Sequence, residues 1–321
     1  TWMCWPSRQA CFGNADGFLR GKQAFAALVC TIAGVEPVTL AVRSEDAAEA
    51  RLATGGKADL LEIALDDGWA RDIGPSFLVG GQNTLAGVQW NFNAWGLKYH
   101  PYANDAVFAQ RILRAMRARE FAAPLVCEGG ALHGDGEGTI LTTEQCLLNA
   151  NRNPGMARDE VENVLRLYLG AGKVIWLQGR FSDLETDGHI DNIACFAAPG
   201  RVVLGVPDSH DHPDWEPVQN AMRILSNSGD AKGRRLEIIP LPQPKQRRLS
   251  WSGQLLQASY VNFYLANDAV IMPAFDDPHD DPARDLVASL FPTRKVLQIN
   301  ALDLVQGGGG IHCMTQQEPA P

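Results

Sequence analysis

Four short segments of this chain concentrate residues able to do chemistry. The first is Asp66-Asp67-Gly68-Trp69-Ala70-Arg71-Asp72. The second is Cys127-Glu128-Gly129-Gly130, and the third is Glu185-Thr186-Asp187-Gly188-His189-Ile190-Asp191-Asn192. The fourth runs from Gly307 through four glycines into Ile311-His312-Cys313-Met314-Thr315-Gln316-Gln317. A Cys thiolate is a strong nucleophile, and a partner His can generate it and then shuttle protons. Several carboxylates beside such a pair repel anionic substrates and do nothing for a neutral acyl group. They suit a planar cation, because a guanidinium carries its donors in a rigid fork that carboxylates accept in bidentate pairs. If the segments converge, a bound guanidinium would present its carbon to Cys313.

The elements that must position these segments repeat. A short strand, a Gly/Asn/Asp turn and a more apolar second strand recur along the chain. Phe77 to Val79, a turn at Gly80 to Asn83, and Thr84 to Val88 form the first hairpin. Ala131 to His133 with Thr139 to Leu141, Ile193 to Phe196 with Arg201 to Val206, and Val261 to Leu265 with Ala269 to Met272 form three more. A fifth unit would start at Ile311 and close with a strand around Trp2 to Trp5. Glycine supplies positive φ at the turns, and β-branched residues fill the second strands. Apolar residues at helical spacing predict helices over Asn104 to Arg119, Arg158 to Leu169 and Pro282 to Leu290. The units recur about every 50 to 70 residues, as a repeat architecture would, and either a closed ring or an ordinary α+β sheet accommodates them. In a ring the polar segments would meet at the axis.

Composition excludes several classes. The 321 residues are 45% hydrophobic and 20% charged, as in a globular protein. Lys and Arg total 28 against 37 for Asp and Glu, a net charge of −9, which speaks against nucleic acid or an anionic membrane as the main partner. No apolar run is long enough to span a bilayer, and no signal peptide is visible. Seven Cys, without a CxxC pair, argue against a disulfide framework or a zinc site and fit a reducing, cytoplasmic setting.

The motifs, taken in order, resemble the agmatine deiminase family within the pentein superfamily of guanidine-modifying enzymes. They are Trp5-Pro6-Ser7-Arg8, Trp69 to Pro75, Asn93-Ala94-Trp95-Gly96, Glu128-Gly129-Gly130, Asn149 to Pro154, His189 to Asn192, Ser259 to Tyr264, and Gly308 to Gln317. The resemblance covers nearly the whole chain. It implies a five-bladed α/β propeller, the pentein fold, as a single catalytic domain over residues 1–321. It implies that Cys313 attacks the guanidinium carbon and that His189 protonates the departing ammonia and then activates water. Glu128, Asp191 and Asp72 would hold the guanidinium nitrogens. No cofactor and no metal are implied; a homodimer is one assembly the reading allows. The family usually has a second glycine after Gly96, where this chain has Leu97.

Trp69 and Trp95 are candidates to wall the aliphatic tail of the substrate or to face its ammonium; packing within a blade is the alternative for both. His312 would point away from Cys313 if the two shared a strand. Asp208 to Asp214, with His210 and His212, reads as a solvated loop rather than a metal site. A related hydrolase acting on arginine, methylarginine or peptidyl arginine is the nearest rival. A binding protein on the same propeller would lack the Cys, His and carboxylate set, and a papain-like protease fits the carboxylates badly.

Overall fold

The structure, a computed structural model, describes residues 1–81 and 84–320. Each predicted hairpin forms and then gains a third, parallel strand. Parallel strands need a crossover connection, and a helix supplies it each time. Ser76–Gly80 pairs antiparallel with Thr84–Asn91, and Arg119–Val126 returns parallel to the latter by way of the helix Phe108–Ala115. Gln82 and Asn83 of that turn lie outside the described residues. His133–Gly134, Thr139–Thr143 and Lys173–Leu177 repeat the pattern around the helix Arg158–Leu169. Ala194–Ala198, Arg201–Val206 and Glu237–Pro242 repeat it around Trp215–Ser226.

The chain divides into two compact units. The three sheets just described belong to the unit made chiefly of Asp72–His100 and Ala106–Gln243. Its core has two apolar clusters, one around Trp90, Leu125 and Leu165 and the other around Ile175, Leu204 and Leu225. The other unit holds Thr1–Arg71, Pro101–Asp105 and Pro244–Glu318. It contains the hairpin Tyr264–Leu265 with Ala269–Ala274, extended in parallel by Lys295–Asn300. It also contains a four-stranded sheet ordered Thr315–Gln316, Trp2–Cys4, Thr39–Val42 and Asp59–Glu62. Trp2 faces Gln316 across an antiparallel pair, so the two ends of the chain close one sheet as expected.

Three expectations need correction. The helix predicted over Asn104 to Arg119 ends at Ala115; Arg117 turns back with φ +56°, because Arg119 must open a strand in register with Ala86. Ala131 belongs to a short 3-10 helix, Gly129–Ala131, and the strand after it is only His133–Gly134. Cys313 and His312 sit in a turn immediately before Thr315–Gln316, not in a strand, so strand alternation does not separate their side chains.

Candidate active site

Glu128 follows the strand Arg119–Val126 and precedes the 3-10 helix Gly129–Ala131. His189 caps a second 3-10 helix, Ile190–Asn192, which carries Asp191. The two helical turns bring these side chains to one point, and Gly130 marks it. A Cβ at Gly130 would lie 2.6 Å from His189 Nδ1, 2.8 Å from Asp72 Oδ1 and 3.1 Å from Asp191 Oδ2. Only a glycine leaves room for the three groups. The Gly130 amide donates to Asp72 Oδ1 at 3.0 Å.

All of these groups are buried, and His189 and Glu128 completely so. His189 Nε2 lies 3.4 Å from Glu128 Oε2. Nδ1 is 3.8 Å from Asp72 Oδ1, close enough for charge attraction but too long for a hydrogen bond. Burial alone would lower the imidazole's proton affinity. The charge of Asp72 and the neighbouring Cys146 and Glu128 outweigh it, so His189 is held well above its ordinary pKa. The Asp72 carboxyl is raised to about 6, chiefly by burial; His189 pulls against this shift, while Asp191 and Glu128 add to it. Burial would raise Glu128 as well. Its contacts with His189 and Arg152 prevail and hold it below the usual carboxylate range.

Sequence reasoning missed three members of this cluster. Arg152 Nε donates to Glu128 Oε1 at 2.7 Å, an ion pair with both side chains fully buried. Cys146 Sγ lies 3.9 Å from Glu128 Oε2, and burial raises its thiol pKa. Lys98 Nζ pairs with Asp187 Oδ2 at 2.9 Å. Arg152 belongs to the segment Asn149 to Pro154; nothing in the pattern around Cys146 or Lys98 sets them apart. Trp95 is buried, and its Nε1 donates to Asp72 Oδ2 at 2.9 Å. Ala94, Trp95, Gly96 and Leu97 all have positive φ, 54°, 54°, 88° and 65°, so Leu97 takes the left-handed region where the resemblance suggests glycine.

Glu128, Cys146 and His189 place three potential donor atoms within 4.8 Å of one another. A protonated imidazole has no lone pair to give, and Arg152 already occupies Glu128 Oε1. The electrostatics favour a proton here over a metal ion. His210 packs against Trp215 with ring centroids 3.9 Å apart and planes tilted by 42°, and His212 Nδ1 accepts from the Asp214 amide at 3.1 Å, so that loop is held by its own contacts.

In the unit that holds Thr1–Arg71 and Pro244–Glu318, Cys313 is buried beside Asn262. Asn262 Oδ1 accepts the His312 amide at 2.9 Å, which fixes the orientation of the side-chain amide. Its Nδ2 therefore faces Cys313 Sγ, at 3.3 Å. The Arg71 amide donates to the Cys313 carbonyl at 3.1 Å. A Cβ at Gly309 would lie 2.7 Å from the Trp69 ring, 3.0 Å from Cys313 Cβ and 3.2 Å from its Sγ, so the glycine run lets the backbone lie against the sulfur and the indole together. Asp67 is held by Arg8 at 2.9 Å and by Cys11 at 3.4 Å.

Residues 1–319 match the model of the Porphyromonas-type peptidyl-arginine deiminases. The chain belongs to that family. The agmatine deiminase of Pseudomonas aeruginosa is 40% identical, with 100% of this chain and 93% of the relative aligned. That of Ectopseudomonas mendocina is 41% identical over 100% and 93%. A solved structure described as the agmatine deiminase of Enterococcus faecalis catalysing its reaction superposes with a TM-score of 0.94 at 35% identity, over 99% of this chain and 92% of that one. These likenesses bear out the α/β pentein fold class, and the five small sheets among the described residues are its repeats.

Proposed function

We propose that the chain hydrolyses agmatine to N-carbamoylputrescine and ammonia, as a single catalytic domain over residues 1–321. What carries the reading is the convergence of Asp72, Asp191 and His189 on Gly130, beside a fully buried Glu128. Such a set attracts a cation and can move protons. The full-length likeness to proteins named agmatine deiminase supports the substrate.

In the proposed reaction the Cys313 thiolate attacks the guanidinium carbon and the C–S bond forms. The C–N bond to one terminal nitrogen breaks, and His189 supplies the proton with which ammonia departs. Water then adds to the S-alkyl thiouronium, giving its proton to His189. The adduct's hydroxyl gives its remaining proton to ammonia or solvent as the C=O bond forms, the C–S bond breaks to return the Cys313 thiolate, and the ureido product leaves. Asp72 and Asp191 hold the guanidinium nitrogens. Glu128, with Oε1 taken by Arg152, has Oε2 for substrate and His189. Trp69, packed on the Gly309 backbone beside Cys313, is a candidate to wall the substrate tail. The reading includes a cytoplasmic setting, no cofactor, and a homodimer as one possible assembly.

Ammonia and ureido product, followed with agmatine, arginine, a methylarginine and a peptidyl arginine, test the substrate. A clear preference for agmatine is expected. Equal use of arginine and agmatine would leave only the broader guanidine hydrolase, and preference for peptidyl arginine would favour the activity for which the family is named.

A further inference from the structure

Arg152 reaches three segments, each leading to a residue of the cluster around Gly130. Its Nε donates to Glu128 Oε1 at 2.7 Å, and Glu128 Oε2 faces His189. Its Nη1 donates to Asp187 Oδ2 at 2.9 Å, and Nη2 to the Thr186 carbonyl at 3.3 Å. Thr186 Oγ1 in turn accepts the His189 amide at 3.1 Å. On the third side, a Cβ at Gly96 would come within 2.8 Å of Nη1. Gly96 belongs to the left-handed turn that presents the Trp95 indole to Asp72.

The fork geometry explains why an arginine serves here. One planar group supplies a charge to Glu128 and separate donors to a carboxylate and a carbonyl, which the single ammonium of a lysine cannot do in the same directions. The surroundings explain why a permanent cation is needed. Asp72, Glu128 and Asp191 are buried with one imidazole, and Cys146 packs against Glu128 and His189. Among the described residues Lys98 reaches Asp187 and the carbonyls of Leu184 and Glu185. Without Arg152, Glu128 would be a buried carboxylate facing like charges.

We propose that Arg152 is a positioning residue: its guanidinium aims Glu128 at His189, ties the 184–189 loop to the same point and lies against the 94–97 turn. Its consequence for turnover rests on the deiminase reading, whereas its effect on the Glu128–His189 pair does not.

The test uses Arg152→Met and Arg152→Lys in the full chain, with two readouts. The first is the NMR titration of the His189 ring without substrate, and the second is kcat and KM for agmatine against pH. Removing a positive charge strengthens proton binding at every neighbour. In Arg152→Met the His189 titration and the acid limb of kcat should therefore both move up by about one pH unit or more. The same variant should lose roughly 100-fold in kcat, with a smaller change in KM. Arg152→Lys should restore the titration yet stay about tenfold down in kcat, the usual cost of a lost outer support. If Arg152→Met does not fold, the lysine variant decides alone: a wild-type kcat there overturns the proposal. A folded Arg152→Met with unmoved titration and kcat overturns it as well. A wild type inert towards agmatine would defeat the deiminase reading while leaving the titration to judge Arg152.

Discussion

The indole Nε1 of Trp95 donates a 2.9 Å hydrogen bond to Asp72 Oδ2 inside a buried cluster. That bond gives Trp95 a role beside the tail-walling one suggested by its position in the chain: it steadies a carboxylate that would hold the substrate. A hydrogen bond to a charged group contributes about 1.5–3 kcal/mol. Trp95→Phe should therefore lower kcat/KM for agmatine roughly ten- to hundredfold. Because the indole lowers the Asp72 pKa, its loss should also move the acid limb upward. A variant with unchanged kcat/KM and pH profile would remove this role.

Asp72 sets a pH dependence of its own. Burial raises its pKa from 3.8 to about 6. As a carboxylate it binds a cation, so kcat/KM should climb through about pH 6 and Asp72→Asn should abolish that limb. Stability runs the other way. The folded chain holds this proton more tightly than the unfolded chain, so the group's contribution is complete below the unfolded value and is lost as pH rises through about 6. Melting temperatures from about pH 4 to 7 should fall more steeply for the wild type than for Asp72→Asn. Parallel curves would refute the assignment.

Leu97 is exposed at φ +65°, where a side chain meets its own backbone. Leu97→Gly should raise stability by about 0.5–1 kcal/mol, the relief of strain exceeding the added freedom of the unfolded chain. A lower melting temperature would show that the leucine packs to some purpose.

The repeat was legible because its signals are local. Arg201 to Val206 and Arg158 to Leu169 have the bounds their patterns predict. Where distant pairing decides, local pattern failed: the apolar spacing through Met116 could not show that Arg119 must meet Ala86. The individual site residues came from segment chemistry and resemblance. What surrounds them did not, because an arginine such as Arg152 reads as a surface charge until its partners are known. Nor does any residue type announce that Ala94, Trp95 and Leu97 all turn left-handed.

Gly309→Ala probes the backbone beside the sulfur. Its Cβ would meet both Trp69 and Cys313, and φ there is not the reason, since Gly309 is not among the positive-φ glycines. Displacing the sulfur should cost roughly 100-fold in kcat, as small misplacements of reacting groups do. The melting temperature should fall by only a few degrees, about 1 kcal/mol for a chain of this size. Full activity would mean that the sulfur tolerates displacement.

The central claim is that Cys313 forms the covalent bond to the substrate. Wild-type protein turning over agmatine, quenched in acid and digested, should carry the thiouronium adduct on the peptide containing Cys313. Cys313→Ala should carry none and release no ammonia. An adduct confined to another of the seven Cys, or undiminished ammonia release by Cys313→Ala, would contradict the account.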